Sequence, residues 1–287
     1  MKKTLSLVLA LTMALSLAAC GNSGGSSSSA PADASGSSSQ ANSSTSSSSA
    51  NTESDLAYVQ NKGTLVVGIT EFEPMDYQNT DGEWIGFDAD LAKEFAESLG
   101  VTVEFQLIDW DNKVMELDGK TIDVVWNGMT LTEDVLAAME CSQPYLINQQ
   151  VVVVPADVAE DYQTEESLAD LNFAVEIGSA GCEVAQANGY SYTEVADQAT
   201  ALLEVASGTA DAAIIDSLMA GAMIGEGTSY ADMTSTVALT SEEYGVGFRK
   251  GSDLAATLNE FLSGKYADGS IQTLAETYGV QDALVQE

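Results

Sequence analysis

From residue 64 onward, short apolar runs alternate with amphipathic segments. The run Leu65-Val66-Val67-Gly68-Ile69 suits a strand buried on both faces, and a loop carrying Pro74, Asp81 and Gly82 follows it. Leu91, Ala92, Phe95, Ala96 and Leu99 then recur at the helical period, which predicts a helix over 88–99 with Asp88 at its start and Gly100 just past its end. Alternation over 101–105 predicts a strand, 111–117 a short helix, and 122–126 another strand. Strand and helix taking turns in this way build a doubly wound α/β lobe.

The pattern restarts after Tyr145. Four valines over 151–154 predict a strand, 167–171 a short helix that Ser167 could cap, and 173–177 a strand ending in Gly178-Ser179-Ala180-Gly181. A helix over 199–207, a strand over 212–215 and a helix over 218–224 complete a second α/β lobe. A strand over 244–248 follows, then two amphipathic helices carrying Leu254, Leu258, Phe261 and Leu262, and Ile271, Leu274 and Tyr278. Periodicity alone assigns this tail to neither lobe.

The start of the chain reads differently. Lys2 and Lys3 precede an apolar stretch over 5–17, broken only by Thr12 and Ser16, that runs into Leu17-Ala18-Ala19-Cys20. This order predicts an export signal over 1–20, too short for a spanning helix, which needs about 20 apolar residues. Cys20 directly after two alanines resembles the bacterial lipobox, in which the cysteine is acylated and becomes the new N-terminus. Residues 21–55, mostly Ser, Gly, Ala and Asn, predict a flexible tether. A literal G-x-S-x-G over 21–25 falls inside it, but a hydrolase elbow needs a flanking strand and helix and a histidine base, and the chain has no histidine.

Charge narrows the partners. With 44 acidic against 9 basic residues and a formal charge of −35, the surface repels nucleic acid and anionic headgroups. Asp109 and Asp111 lack a calcium-loop glycine at the required spacing, so neither a metal nor a cofactor is expected. Cys141 and Cys182 could pair outside the cytoplasm, yet their separation in sequence says nothing of their distance in space.

Eight segments in order carry a family resemblance: Leu65-Val66-Val67-Gly68, Gly86-Phe87-Asp88-Ala89-Asp90-Leu91-Ala92, Asn127-Gly128-Met129-Thr130-Leu131-Thr132-Glu133, Ser142-Gln143-Pro144-Tyr145, Ser167-Leu168-Ala169-Asp170-Leu171, Gly178-Ser179, Ala210-Asp211-Ala212, and the run from Tyr244 through Arg249 to Gly251. Together they resemble the family-3 extracellular solute-binding proteins, receptors of polar amino-acid ABC importers. The resemblance implies an α/β, two-lobed, periplasmic-binding-protein-like (type II) fold with two hinge crossings. Lobe one would comprise 56–147 plus 242–287 and lobe two 148–241. It also implies a monomer that binds a small polar solute such as an amino acid, meets the permease subunits of a transporter, and sits on the outer face of the membrane through Cys20.

An amino acid needs a carboxylate for its ammonium, donors for its own carboxylate and a packing surface. Asp216 matches the family's ammonium-binding aspartate, with a helix-capping role as its alternative. Ser179, Ala180 and Gly181 lie at a helix start whose amides can meet a carboxylate. Phe72 and Trp110 match aromatic positions lining the family's cleft, and Asn127, Gly128 and Thr130 match positions that bind the amino-acid moiety. Glu71, Asp111, Glu176 and Asp216 would favour a cationic ligand. Where the family has a carboxylate-clamping arginine this chain has Val135; the one arginine, Arg249, falls in a segment resembling a structural strand, and Lys113 is a conceivable substitute, with exposure on a helix as the simpler account of that lysine. Two other readings stand beside this one. The first is an enzyme on the same fold, a dehydratase or lyase using Glu176 as general acid; the second is a ligand-sensing module acting through a separate partner.

Overall fold

The computed structural model describes residues 54–286. The expected export signal, Cys20 and the expected tether up to residue 53 lie outside the described residues. Helix α1 (Asp55–Lys62) opens the fold, capped by the Ser54 side chain, so helix begins at the last residue assigned to the tether. Then follow β1 (Thr64–Ile69), a small hairpin of β2 (Tyr77–Gln78) and β3 (Trp84–Ile85), α2 (Phe87–Ser98), β4 (Thr102–Leu107), α3 (Lys113–Asp118) and β5 (Val124–Thr130). After α4 (Glu133–Ala138), β6 (Glu140–Cys141) and β7 (Leu146–Asn148), the chain leaves this first layer. A second layer contains β8 (Gln150–Pro155), β9 (Asn172–Glu176), α5 (Ala180–Asn188), β10 (Ser191–Val195), α6 (Gln198–Ser207), β11 (Ala212–Asp216), α7 (Ser217–Met223) and β12 (Met233–Ala238). The chain then returns as β13 (Glu242–Phe248), α8 (Leu254–Asp268) and α9 (Ser270–Tyr278).

Two sheets result. In lobe one the order is β4-β1-β5-β13-β6, with β1 parallel to β4 and β5, while β13 runs antiparallel to β5, β6 and β7. In lobe two the order is β10-β9-β11-β8-β12, with β9 parallel to β10 and β11 and β8 antiparallel to β11 and β12. The fold is therefore a two-lobed α/β arrangement crossed twice, between β7 and β8 and between β12 and β13. The closing strand and helices join lobe one, because β13 inserts beside β5 and α9 packs on α2. Sequence periodicity could not decide this, since it reports which face is buried and not against what.

Apolar burial explains the layers. Every residue of β11 is buried, and so are the four valines of β8, as expected of strands covered on both faces. In lobe one Phe95 of α2 packs between Trp126 of β5 and Phe261 of α8, with ring centroids 6.1 and 5.4 Å apart. Some elements departed from expectation. Ser167 does not cap a helix: Thr164 holds that position for a 3₁₀ turn over Glu165–Leu168, and the Ser167 hydroxyl donates back to its carbonyl at 2.6 Å. Strands β10 and β12 escape the pattern because both are edge strands of mixed, mostly polar residues with no run of buried apolar side chains. Cys141 and Cys182 are free thiols, one in each lobe.

Arg249, the one arginine, is buried at the end of β13. Its Nε donates to both carboxylate oxygens of Asp55 at 3.1 and 3.0 Å, and Nη1 donates to the carbonyls of Leu117 and Ile122 at 3.3 and 2.9 Å. Nη2 lies 3.7 Å from Asp123, which also pairs with Lys62 at 2.5 Å. The guanidinium thus fastens α1, the turn after α3 and β13 together. Replacing Arg249 with Met is expected to lower stability by about 3–5 kcal/mol, because buried carboxylates lose their partner. Urea unfolding should show the midpoint falling at an unchanged slope.

Candidate functional site

A narrow cleft lies between the lobes, at the carboxyl ends of β1, β5, β9 and β11, where open α/β sheets generally hold ligands. Its lobe-one wall starts at Thr70, just past β1. The Asn127 side chain accepts from the Thr70 amide and hydroxyl at 2.9 and 2.8 Å, and donates to the Thr70 carbonyl and to Asp76. Asn127 therefore spends its amide on tying β5 to β1. The Gly128 amide is also occupied: it donates to Asp88 at 2.6 Å, and Asp88 in turn accepts from the Tyr145 hydroxyl at 2.8 Å. Gly128 has φ +55°, and a Cβ there would lie 2.6 Å from the Phe72 ring, so only glycine lets Phe72 lie flat against the strand. Phe72 meets Tyr244 edge to face, with centroids 6.4 Å apart.

Opposite Phe72 stand Trp110 and Lys113. The Lys113 side chain is buried over the Trp110 ring at 4.8 Å and donates to the Trp110 carbonyl at 3.2 Å. It also donates to the Gly178 carbonyl of lobe two at 2.9 Å. The lobes touch here so closely that a Cβ on Gly178 would lie 2.8 Å from the Asp111 Cα. Val135 lines the cleft where the family's arginine is expected, so no guanidinium reaches it. Lys113 is the sole basic side chain in the lining.

The lobe-two wall is built by β9, α5, α6 and β11. Ser179 caps α5 by accepting from the Cys182 amide at 3.1 Å, which leaves the amides of the first helical turn without carbonyl partners of their own in the helix. Ala180 lines the cleft, but Gly181 does not: a Cβ there would sit 2.9 Å from Gln150 and 3.0 Å from the Ile214 carbonyl. Gly181 is a close-packing residue that seats α5 on β11. Glu71, expected at the site, is exposed and outside the lining, although Thr70 and Phe72 on either side of it belong there.

Asp216, the last residue of β11, is buried at the floor. It occupies the cap position of α7 without making a side-chain cap bond, so its alternative role does not hold. Instead Asn148 and Gln150, at the first crossing, donate to one carboxylate oxygen, and Gln198 donates to the other. The same two amides reach Glu242 at the second crossing, at 2.7 and 2.8 Å, where Thr130 also donates at 2.8 Å. The carboxylate at the floor of the cleft is thus hydrogen-bonded into both hinge crossings.

Burial dominates the electrostatics. Desolvation, with Glu242 nearby, raises the Asp216 pKa to about 7, and desolvation with Asp216 and Asp197 raises Glu176 to about 8. Behind the lobe-one wall, burial raises Asp88 to about 6 and Asp76 well above the carboxylate range. Burial lowers Lys113, against Glu176, Asp111 and Glu183. Sequence reasoning did not find Thr132, Met129, Glu183 or Gln198, which also line the cleft. Gln198 gave no signal, since a glutamine opening a helix is ordinary.

A carboxyl group with a raised folded pKa binds more protons folded than unfolded, so stability falls as pH rises through the interval between the two values. For Asp88, Asp216 and Glu176 that interval runs from about 4 up to about 6, 7 and 8. The ligand-free protein is therefore expected to melt about 5 °C or more higher at pH 5.5 than at pH 8. Differential scanning calorimetry checks this; a higher melting point at pH 8 contradicts it.

Similarity to known proteins agrees with this geometry. The model of the bacterial extracellular solute-binding proteins, family 3, matches residues 65–281. The L-cystine-binding protein TcyJ of Escherichia coli strain K12 is 29% identical over 230 residues, covering 79% of this chain and 86% of that one. The arginine-binding extracellular protein ArtP of Bacillus subtilis strain 168 is 28% identical over 227 residues, covering 76% and 86%. A solved ABC uptake transporter substrate-binding protein of Streptococcus pneumoniae with bound histidine aligns with a TM-score of 0.74 at 28% identity, covering 82% of this chain and 99% of that one. With its cleft at the strand ends, its double crossing and a match spanning both lobes, this chain belongs to the bacterial extracellular solute-binding proteins, family 3.

Proposed function

We propose that the protein captures an α-amino acid by closing its two lobes and presents it to the permease subunits of an ABC importer, while a lipid on Cys20 holds it at the outer face of the cell membrane. The observation that carries this reading is Asp216. It is a buried carboxylate at the cleft floor whose hydrogen bonds come from neutral groups, so its charge is left for an ammonium group. The ligand carboxylate would meet the α5 start at Ser179 and Ala180, and Lys113 supplies positive charge in place of the missing arginine. Phe72 and Trp110 offer apolar faces to the rest of the molecule, and the Thr130 hydroxyl, which gives its proton to Glu242, can still accept a hydrogen bond. Asn127 and Gly128 shape the wall through Thr70 and Asp88 and are not themselves ligand donors.

The fold's lysine contact across the lobes supports closure as the binding event, since Lys113 donates to Gly178 only when the two halves meet. The tether over 21–55 would let the folded part turn and diffuse near the membrane. The cystine, arginine and histidine named for the relatives share an α-amino acid moiety and differ beyond it. That moiety is what Asp216 and the α5 start are suited to hold.

Two outcomes are expected. Protein unfolded and refolded to strip carried ligand gains thermal stability with one or a few of the twenty amino acids, as binding to the native state requires. Asp216→Ala loses about 100-fold or more of that affinity while its own ligand-free melting point shifts by less than about 5 °C. A flat response across the panel, or equal losses of binding and folding, would count against the reading. Separately, Cys20→Ala should move the protein from the membrane fraction into the medium, because the acyl anchor is then not made.

A further inference from the structure

With an α-ammonium answered by Asp216, the cleft still holds a second buried carboxyl group that no cation is hydrogen-bonded to. Glu176, the last residue of β9, is only 3% exposed, lines the cleft, and its Oε1 has no hydrogen-bond partner among the described residues. A buried carboxylate oxygen without a donor is costly. Lys113 does not supply one: its ammonium is directed to the carbonyls of Gly178 and Trp110 and to the Trp110 ring. Glu183 adds a third acid at the mouth, so three carboxylates and one ammonium line the cleft.

Resting on the amino-acid reading of the cleft, we propose that Glu176 forms a second cation subsite, separate from Asp216, and that the ligand is an amino acid whose side chain carries its own positive charge. A zwitterion with a neutral side chain would leave the Glu176 Oε1 sealed in without a partner when the lobes close. A ligand with a distal ammonium or guanidinium supplies both the donor and the charge, and makes the interaction a charge-assisted hydrogen bond.

Closure gives the same answer. Glu71 of lobe one faces Asp197 of lobe two closely enough for the two charges to interact, and Asp134 of lobe one does the same with Glu183 of lobe two. Like charges meeting across the mouth oppose closure of the empty cleft. A ligand with net positive charge offsets that repulsion, and a neutral one does not. The groups facing Glu176 itself are Asp216 at the end of β11, Asp197 before α6, Lys113 on α3 and the neutral Gln198. With Asp216 answered by the α-ammonium, Asp197 and Lys113 offset each other, so the charge a distal cation would meet there is that of Glu176 itself.

The test compares isosteres differing in charge: L-arginine against L-citrulline, and L-lysine against L-norleucine, by isothermal titration on the stripped protein. Wild type should bind at least one charged member about 30-fold or more tightly than its neutral isostere. Glu176→Gln should bring that ratio within about threefold. Charged binding should also release a proton below pH 8, seen as heat that depends on the buffer's ionisation enthalpy. Neutral isosteres that bind as well as the charged members, or a Glu176→Gln protein that keeps the full ratio, would overturn the second subsite while leaving the amino-acid reading intact. No binding of these four or of any of the twenty amino acids would instead defeat the amino-acid reading, and the subsite with it.

Discussion

A carboxylate taken out of water must be met by donors or it does not stay ionised, and in this protein that demand joins the binding floor to the hinge. A primary amide has two N–H bonds. Asn148 and Gln150 each direct one to Asp216 and one to Glu242, so two amides at the first crossing connect the strand end beneath the cleft to the start of β13 at the second. Thr130 of lobe one reaches the same Glu242 oxygen. Swinging the lobes apart moves these partners relative to one another. On the proposed role of Asp216, the group that would receive an ammonium is hydrogen-bonded to both crossings, which would link ligand charge to lobe angle.

The resemblance-bearing motifs divide along the same line. Asp88 and Tyr145, from two of the quoted segments, touch no ligand surface; they hold the Gly128 amide so that the strand end turns under Phe72. Asn127 does the same for Thr70. These polar groups lie beneath the wall and keep its geometry fixed before any ligand arrives, which reduces what must be ordered on binding. The cost is the buried Asp76 and Asp88 pair, whose mutual repulsion and desolvation the fold tolerates for a rigid wall.

Much of the fold was legible because buried strands are written as apolar runs. The valines of β8 and the run in β1 leave little choice, and the helical spacing of Leu91, Phe95 and Leu99 fixes α2. Edge strands β10 and β12 were hidden because they are mixed, mostly polar segments with no run of buried apolar residues. At the site, strand-end positions such as Asp216, Glu176 and Thr130 could be found from the strands before them. Gln198, Thr132 and Glu183 could not, since their approach to the cleft depends on how two lobes meet. Glu71 shows the converse failure: two neighbours line the cleft, but its own side chain points elsewhere, and an acid near a motif was no guide to direction.

Val135 and Glu176 belong to one electrostatic balance. An arginine at position 135 would place a fixed positive charge in the cleft wall opposite the helix start, offsetting Glu176 and Glu183 as well as gripping a carboxylate. Valine removes that charge and leaves Lys113, half committed to bridging the lobes, as the sole base. A cleft so altered binds anions less well and cations better, because each lost positive charge deepens the negative potential felt throughout a small, poorly solvated space. The departure from the family pattern and the unpartnered Glu176 oxygen thus have one explanation. On the proposed reading, the positive charge that the family pattern places in the wall would here be left for the ligand to bring.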